Sequence, residues 1–571
     1  MSSLTPTRRR VALGLYALFT FLSFPHELPG LGAFDLGLVC AWLGPAALVV
    51  GLHGLAPRAA AKHAFLASLL AHVFVFHWFI VVTVTYGGMP LALGVLAPLV
   101  PAYWVAQFGA LFGGLWARLA GRPGAAFFGA CTWVAVDWLR GVLFGGFPWA
   151  TLGYALHQDA WLLPWTRFGG VYALSFVAAG CGLALGGLWV ERLASSGADG
   201  SAGATGGAAH RRTAIGLAVA LAAVHGIGAR LAPAPPGDVP RVRIAAVQGN
   251  IDQGEKWDAA RRERILSTYL RLSDRAAEAG ARWIVWPETA LPGSLEWDPA
   301  LATRVGELAR RHGVTLVVGG MGIAWSEQGD EPSAYYDSAF VVDAEGRIRD
   351  RYDKTQLVPF GEFVPLRGLL GRVFHSLARG LSPNDVTPGA VPRAVELPGS
   401  ADGQPTLRAG VPICYELIFP DLVRRFAADG AGVLLAVTND AWYGRTGAPH
   451  QFLAMTALRS AETGLYGVRA ANTGISAIID ERGRVRERSP LFEEAVVVAE
   501  VPVVPASPAA GGPTAGGGPS AGTTGAVGGA PTFYARFGDV FAWSGILGAL
   551  VGLLRARAAR RASISEGDGR T

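Results

Sequence analysis

The feature that most constrains the fold of this sequence is a series of apolar runs, each long enough to cross a lipid bilayer. Residues 11–231 consist almost entirely of such runs with short polar interruptions, and one more run follows at 536–554. A membrane-spanning helix needs about 20 predominantly apolar residues. The chain is 51% hydrophobic and only 16% charged, with a mean hydropathy of +0.33. This composition excludes an ordinary soluble protein.

We predict eight transmembrane helices from these runs. No small-residue cleavage site follows the first run, and further runs come directly after it. An uncleaved helix is therefore expected there rather than a signal peptide. The predicted spans lie near residues 11–28, 34–54, 64–84, 91–116, 124–143, 168–190, 213–231 and 536–554.

Basic residues in the short loops predict how these helices are oriented. With eight spans they all fall on one side of the membrane, which is the cytoplasmic side by the positive-inside rule. The region 232–535 is then expected outside the cytoplasm. This placement accounts for much of the net charge of +6, and no basic-aromatic groove pattern predicts binding to nucleic acid. The residues are Arg8, Arg9, Arg10, Arg58, Lys62, Arg118, Arg122, Arg192, Arg211, Arg212, Arg555, Arg557, Arg560 and Arg561.

Composition divides the chain into four segments. Residues 1–231 carry seven of the predicted helices, and residues 232–504 show the alternating strand and helix patterns of an α/β domain. Residues 505–535 are rich in Gly, Ala and Pro and are predicted to be a linker. Residues 536–571 hold the last predicted helix and a basic cytoplasmic tail.

Cys414 is the only cysteine of the predicted α/β domain, because the other three lie in predicted spans. A single cysteine cannot close a disulfide within an exported domain. Both a buried core role and a reactive role are open for it at this point, since free cysteine is among the most buried residue types. The other three are Cys40, Cys131 and Cys181.

Three predicted strand ends each present one polar residue in an apolar setting: Glu288, Lys354 and Cys414. A buried glutamate can act as a general base, and an ammonium can stabilise an oxyanion. A cysteine close to both would be an activated nucleophile. Each residue also has a plain structural explanation, as a helix N-terminal acid, a solvated hairpin lysine and a core cysteine. Their spacing alone cannot join the three.

The motifs around these residues resemble those of the nitrilase superfamily. The matching stretches are "VWPETALPG", "YDKTQLVPFGEFVP" and "ICYELIFP", extended by "GNIDQGEKW", "LAVTNDAWYG" and "VRAANTGISAIID". The predicted spans and "WVAVDWLRGVLFGGFPWATLGY" at 133–154 are similar to the apolipoprotein N-acyltransferase family within it. The resemblance implies a membrane helical bundle carrying an αββα sandwich domain. The chain departs from the family pattern at Asp337, where an asparagine is expected.

The resemblance also implies roles for individual residues. Glu288 is expected to be the base, Lys354 the oxyanion-stabilising lysine and Cys414 the nucleophile. Substrate-binding or supporting roles are expected for Trp257, Glu362, Tyr415, Glu416 and Trp149.

The implied reaction moves a fatty acyl chain from a phospholipid, through a cysteine thioester, to the α-amine of a diacylglyceryl-modified N-terminal cysteine of an apolipoprotein. The implied location is the bacterial inner membrane, in contact with membrane lipids and with the catalytic domain on the outer side. No cofactor or metal is expected, because His312, His375 and His450 are isolated in the sequence.

Three other interpretations stay open on the sequence. A membrane-tethered amidase would share the three catalytic residues, and a related acyltransferase would act on a lipid-linked sugar. A transporter or scaffold with a decayed domain is the non-enzymatic alternative. The segment 366–377 has one apolar helical face, which fits either a core helix or an interfacial lid.

Overall fold

The computed structural model describes residues 4–195, 203–233, 239–256, 258–326, 331–363, 385–398, 406–504 and 531–568. Three predictions lie outside these residues in whole or in large part: the supporting role of Trp257, the amphipathic segment 366–377, and the linker predicted at 505–535. Of that linker the structure describes residues 531–535, where a helix begins at Phe533. The helices of the first part are α1 (Pro6–Leu22), α2 (Gly37–Leu52), α3 (Pro57–Val75), α4 (Phe79–Val81, continued by a π-helical turn Val82–Tyr86), α5 (Leu91–Gly94), α6 (Leu99–Leu119), α7 (Ala125–Val142), α8 (Thr166–Ser195) and α9 (Gly203–Leu231).

The remaining helices accompany and follow the strands. They are α10 (Arg262–Glu278), α11 (Pro299–His312), α12 (Pro420–Ala428), α13 (Gly447–Thr463), α14 (Phe533–Phe537) and α15 (Val540–Asp568). The strands are β1 (His26–Leu28), β2 (Gly32–Phe34), β3 (Arg241–Gln248), β4 (Trp283–Val285), β5 (Thr315–Trp325), β6 (Pro332–Val342), β7 (Ile348–Asp353), β8 (Val395–Leu397), β9 (Leu407–Gly410), β10 (Val433–Thr438), β11 (Gly467–Ala471), β12 (Ala477–Ile479), β13 (Val485–Arg488) and β14 (Ala495–Pro502).

Several helices are long and apolar enough to cross a membrane, but the predicted number of eight is not confirmed. Within the described residues five helices qualify, or six if a pair of helices bent by 64° counts as one span. That pair joins α3 to the segment Phe79–Tyr86 and occupies the predicted span 64–84. Within the predicted span 34–54 the helix is the 16-residue α2, and the predicted span 11–28 overlaps the 17-residue helix α1, which begins at Pro6 and ends at Leu22. The five are Leu91–Leu119, Ala125–Gly145, Leu163–Leu193, Ala214–Leu231 and Val540–Ala562.

The α/β part contains two six-stranded sheets that pack face to face. One sheet has the strand order β14-β3-β4-β5-β6-β7, and the other has the order β13-β12-β11-β10-β9-β8. Alternate residues of β3 point to opposite faces, as in any strand. Ile244 and Ala246 pack in the cluster shared with the second sheet, whereas Ala245 and Val247 pack with the helices outside.

The outer helices of the first sheet follow from their sequence patterns. In α10 the buried residues Ile265, Tyr269 and Leu272 recur at helical spacing and form its inward face. Asp298 caps α11, because its side chain accepts the Leu301 N–H at 3.0 Å and Pro299 takes the first helical position. These elements confirm the α/β pattern predicted for the region.

Helix α13 connects the second sheet to the membrane helices and is buried along almost its whole length. The Trp149 indole N–H donates to Gln451 Oε1 at 2.8 Å. At the other end of α13, Glu462 Oε1 accepts the backbone N–H of Val171 in α8 at 2.8 Å. Buried, directional hydrogen bonds therefore attach the α/β part to the apolar helices.

Candidate active site

Glu288 lies in the turn that follows strand β4 and is 6% exposed. Its carboxylate Oε1 accepts a hydrogen bond from Lys354 Nζ at 2.8 Å. Its backbone carbonyl accepts a second bond, from Lys256 Nζ at 3.0 Å. Two lysines therefore hold this glutamate, one through the side chain and one through the backbone.

Lys354 directly follows strand β7 and is completely buried. Besides Glu288, its ammonium donates to Asp337 Oδ2 at 3.2 Å and to Glu362 Oε1 at 2.5 Å. The other oxygen of Glu362 accepts the Val358 N–H at 2.9 Å. The three carboxyl groups are close enough to hold a cation, and here they surround the ammonium of Lys354.

Cys414 lies beyond the end of its strand rather than at it, which corrects the sequence prediction. Strand β9 ends at Gly410, and the chain stays extended through Ile413, which forms an isolated parallel bridge with Val437 of β10. Cys414 then starts a 3-10 turn with φ of 45°, a left-handed conformation that is uncommon for a residue other than glycine. Cys414 lies close enough to Glu288 and Lys354 for their charges to shift its pKa, and backbone strain of this kind is often found at active sites.

Glu416 holds the cysteine turn against the lysine loop. Its Oε2 accepts the Ile413 N–H at 2.8 Å, directly before the cysteine. Its Oε1 accepts the Tyr352 hydroxyl at 2.7 Å and the Thr355 N–H at 2.7 Å, on either side of Lys354. A buried carboxylate with this many donors fixes the position of the turn at Cys414 relative to the loop that contains Lys354.

The electrostatics favour a neutral thiol beside an ionised acid. Burial raises the pKa of Cys414 well above its ordinary value, and the negative charge of Glu288 raises it further. Burial alone would raise the pKa of Glu288, but the ammonium of Lys354, a hydrogen bond with Asp337 and the charge of Lys256 together outweigh it and hold that pKa below its ordinary value. Burial would lower the pKa of Lys354, yet Glu288 and Glu362 raise it well above its usual range. Glu288 is thus ready to accept a proton from Cys414.

The other predicted supporting residues lie in different surroundings. Tyr415 is buried, and its ring packs edge-on against Phe419 with centroids 5.2 Å apart. Trp149 is buried in an aromatic cluster with Trp78 and Tyr443, at centroid distances of 4.9 and 6.0 Å. Trp149 is therefore connected to the surroundings of Cys414 through Tyr443. Burial raises the pKa of Tyr443 well above its ordinary value, and the neighbouring Cys414 raises it further.

Two further residues of the site were not assigned roles from the sequence. Lys256 is buried, and burial lowers its pKa to about 8 despite the nearby charge of Glu288. Asp337 completes the shell around Lys354. Lys256 lies in the quoted "GEKW" motif, and Asp337 was visible only as a departure from the family pattern, so neither residue had a chemical signal of its own.

Comparisons with known proteins give two family models that match different parts of the chain. The family model described as carbon-nitrogen hydrolase matches residues 243–508, and the one described as apolipoprotein N-acyltransferase N-terminal domain matches residues 16–184. A solved amidase from Nesterenkonia sp. is 21% identical, with 47% of this chain and 94% of that chain covered and a TM-score of 0.34.

Full-length relatives carry one shared name. A protein of Geobacter metallireducens named apolipoprotein N-acyltransferase is 34% identical over 98% of this chain and 97% of its own length. Proteins of the same name from Sinorhizobium medicae and Nitrosomonas europaea are 34% and 32% identical. They cover 73% and 85% of this chain, and the matches cover 72% and 86% of those proteins.

The two sheets with a buried Glu–Lys pair beside a cysteine define the second part of the chain as a carbon-nitrogen hydrolase domain. The first part supplies the apolar helices of a membrane protein. The chain as a whole belongs to the apolipoprotein N-acyltransferase family.

Proposed function

We propose that this protein transfers a fatty acyl chain from a membrane phospholipid, through a thioester on Cys414, to the α-amine of the N-terminal S-diacylglyceryl cysteine of apolipoproteins. The observation that carries the proposal is the buried Glu288–Lys354 pair, 2.8 Å apart, beside the Cys414 thiol. Relatives named apolipoprotein N-acyltransferase over the full length of the chain support the choice of substrate.

The first half-reaction forms the acyl-enzyme. Glu288 accepts the thiol proton as the sulfur of Cys414 attacks the ester carbonyl of the phospholipid. The ammonium of Lys354 stabilises the oxyanion of the tetrahedral intermediate. Collapse of that intermediate breaks the ester bond, and the departing lysophospholipid takes the proton from Glu288. The enzyme is left with a thioester and an ionised base.

The second half-reaction passes the acyl chain to nitrogen. The α-amine of the lipoprotein attacks the thioester carbonyl, and Glu288 accepts the proton that the amine loses. The C–S bond breaks, and the thiolate of Cys414 regains its proton from Glu288 as the amide is released. Amide formation from a thioester is downhill, so the step needs no nucleotide. Burial of Cys414, which is 7% exposed, protects the thioester from water.

The membrane location follows from the two lipid substrates. We place the helices of residues 1–231 and 536–571 in the bacterial inner membrane, with residues 232–504 on the outer side and 505–535 as the linker. Basic residues flanking the apolar runs support this orientation. The hydrogen bond from Trp149 to Gln451 supports a catalytic domain held at the membrane surface.

Reconstitution tests the proposal. The purified protein in phospholipid vesicles should convert a diacylglyceryl lipopeptide to the N-acylated form, with lysophospholipid as the second product. Cys414→Ala should abolish both products, whereas Cys40→Ala, a matched change at a buried cysteine in α2, should retain them. Hydrolysis of a small amide with no N-acylated peptide would instead favour an amidase and contradict the proposal.

A further inference from the structure

The candidate active site contains three acidic groups, although only one is needed as the general base. Glu288, Asp337 and Glu362 each contribute a carboxylate oxygen within 4.8 Å of the others. Lys354 Nζ lies among them and donates to all three. Glu288 and Asp337 are 6% and 7% exposed, so water does little to screen their mutual repulsion.

A charge count shows that this cluster is not balanced when all of its groups are ionised. The three carboxylates carry three negative charges, and the ammonium groups of Lys354 and Lys256 carry two positive ones. One negative charge would be left buried and uncompensated, which is unfavourable in a low-dielectric site. One proton on one of the acids removes that charge.

Hydrogen bonding indicates which acid carries the proton. Both oxygens of Glu362 accept donors, from Lys354 and from the Val358 N–H. Asp337 has the longest of the three bonds to Lys354, at 3.2 Å. Its other oxygen, Oδ1, is buried and faces no donor in the part of the chain that the structure describes. An oxygen buried without a donor is better explained as a hydroxyl that donates itself.

We propose that Asp337 is a positioning residue that works as a neutral carboxylic acid and donates its proton in a hydrogen bond to the carboxylate of Glu288. The bond orients the base toward Cys414 and keeps it ionised. This inference rests on the proposed function for its catalytic consequence, but not for the location of the proton.

The surroundings of Asp337 agree with a neutral acid. Burial raises its pKa well above the ordinary value, and the charge of Glu288 raises it further, with only partial relief from Lys354. The charged or titratable groups that face it are Glu288 from the turn after β4, Lys354 and Glu362 from the loop after β7, and Lys256 from the segment before α10. The hydrogen bond between the two acids in turn lowers the pKa of Glu288.

A neutral Asp337 also gives Lys354 a bond that it can exchange during catalysis. All three N–H groups of the ammonium are engaged, so one must be released to stabilise an oxyanion. The bonds of the ammonium to ionised carboxylates gain the attraction between opposite charges, which a bond to a neutral acid lacks. The bond to Asp337 is therefore the one that is released, and the ion pairs with Glu288 and Glu362 stay in place.

Infrared spectroscopy of the purified protein without substrate tests where the proton is. At neutral pH the difference spectrum between the wild-type protein and Asp337→Asn should contain the carbonyl band of a protonated carboxylic acid. Asp343→Asn is the matched control, because Asp343 is buried at the end of the same strand and accepts the Arg347 N–H at 2.8 Å. That variant should keep the band. Loss of the band in Glu288→Gln but not in Asp337→Asn would overturn the proposal.

Kinetics test the positioning role separately. Asp337→Asn keeps an N–H donor for Glu288, whereas Asp337→Ala removes it. Hydrogen bonds to charged groups predict that the alanine variant forms the acyl-enzyme roughly 10- to 100-fold more slowly. The acidic limb of the pH–rate profile of the alanine variant should move to higher pH, because Glu288 loses the bond that keeps it ionised. The asparagine variant should keep the wild-type acidic limb and lose less of the rate. Equal losses in both variants, with unshifted pH profiles, would overturn the role. The infrared band does not depend on turnover, so it separates this failure from a failure of the proposed function.

Discussion

Glu288 and Lys354 form an ion pair whose charges act on the Cys414 thiol, and the two residues have different tasks in the proposed mechanism. Glu288→Gln should lose proton transfer and Lys354→Met should lose oxyanion stabilisation. Each is expected to slow acyl-enzyme formation by about two to four orders of magnitude. Rates of acylation by vesicle phospholipid, together with phospholipid binding, measure the effect. Binding should be retained, and a Lys354→Met variant with near-normal acylation would remove Lys354 from the mechanism.

The lowered pKa of Lys256 predicts that the rate of acyl-enzyme formation falls at alkaline pH. Burial lowers its pKa to about 8, so the ammonium form predominates below that pH and is lost above it. The loss weakens the bond that Lys256 Nζ donates to the Glu288 backbone carbonyl at 3.0 Å and so loosens the position of the base, because an ionised donor makes a stronger hydrogen bond than a neutral one. Acylation should therefore fall by a few-fold, roughly 2- to 10-fold, as the pH rises through about 8. Lys256→Met should have a lower plateau and no such limb.

Lys62→Met is the control for this change, because Lys62 is exposed on α3. It should leave the pH profile intact. An alkaline limb near pH 8 that persists in Lys256→Met would assign it to another group.

At the scale of elements, Glu416 connects the loop after β7 to the turn after β9. The amide of Glu416→Gln can lie in two orientations. In one, its NH₂ group faces the Ile413 N–H and that hydrogen bond is lost. In the other, the NH₂ group replaces the oxygen that accepts from Tyr352 and Thr355, and those two bonds are lost. Leaving a buried group unpaired costs about 1–3 kcal/mol. The misplaced turn should slow acylation by about 10- to 100-fold. Glu396→Gln, at an exposed glutamate of β8, should have no such effect in the same assay.

The elements of the α/β part could largely be predicted from the sequence. Strand β3 contains several β-branched residues, and helix α10 has apolar residues at helical spacing, so both have a local signal in the sequence. The membrane helices could not be counted in the same way. Hydropathy measures apolar length and does not detect the 64° bend between α3 and the segment Phe79–Tyr86.

The candidate site was predictable only in part, for a physical reason. Glu288, Lys354 and Cys414 lie at or near strand ends, where a sheet presents its functional residues, but only the family resemblance joined them. The neutral acid proposed for Asp337 depends on three carboxyl groups meeting around one lysine. No local sequence pattern can predict this cluster, because its residues come from different loops and strands.

At the scale of the whole molecule, function depends on the contact between the catalytic domain and the apolar helices. Trp149→Phe removes the N–H that donates to Gln451 and leaves a buried acceptor unpaired, at a cost of about 1–3 kcal/mol. The variant should unfold at lower temperature and accept acyl chains from vesicles more slowly. Reaction of Cys414 with a small soluble thiol reagent should change little.

Trp165→Phe is the matched control, because the Trp165 indole N–H donates to the Val224 carbonyl at 3.0 Å within the helices. It should leave acylation from vesicles close to the wild-type rate. A slower rate in both variants would show that any loss of helix stability is enough, and that the Trp149 contact has no special role.

Intact-mass measurement of the protein after incubation with phospholipid vesicles, in the absence of lipoprotein, tests the central claim most directly. The account predicts a mass increase of one acyl chain, located on Cys414 and removed by neutral hydroxylamine, as expected of a thioester. The adduct should disappear when a diacylglyceryl lipopeptide is added, and it should be absent from Cys414→Ala. N-acylated lipopeptide formed without any adduct, or an adduct on another residue, would contradict transfer through Cys414.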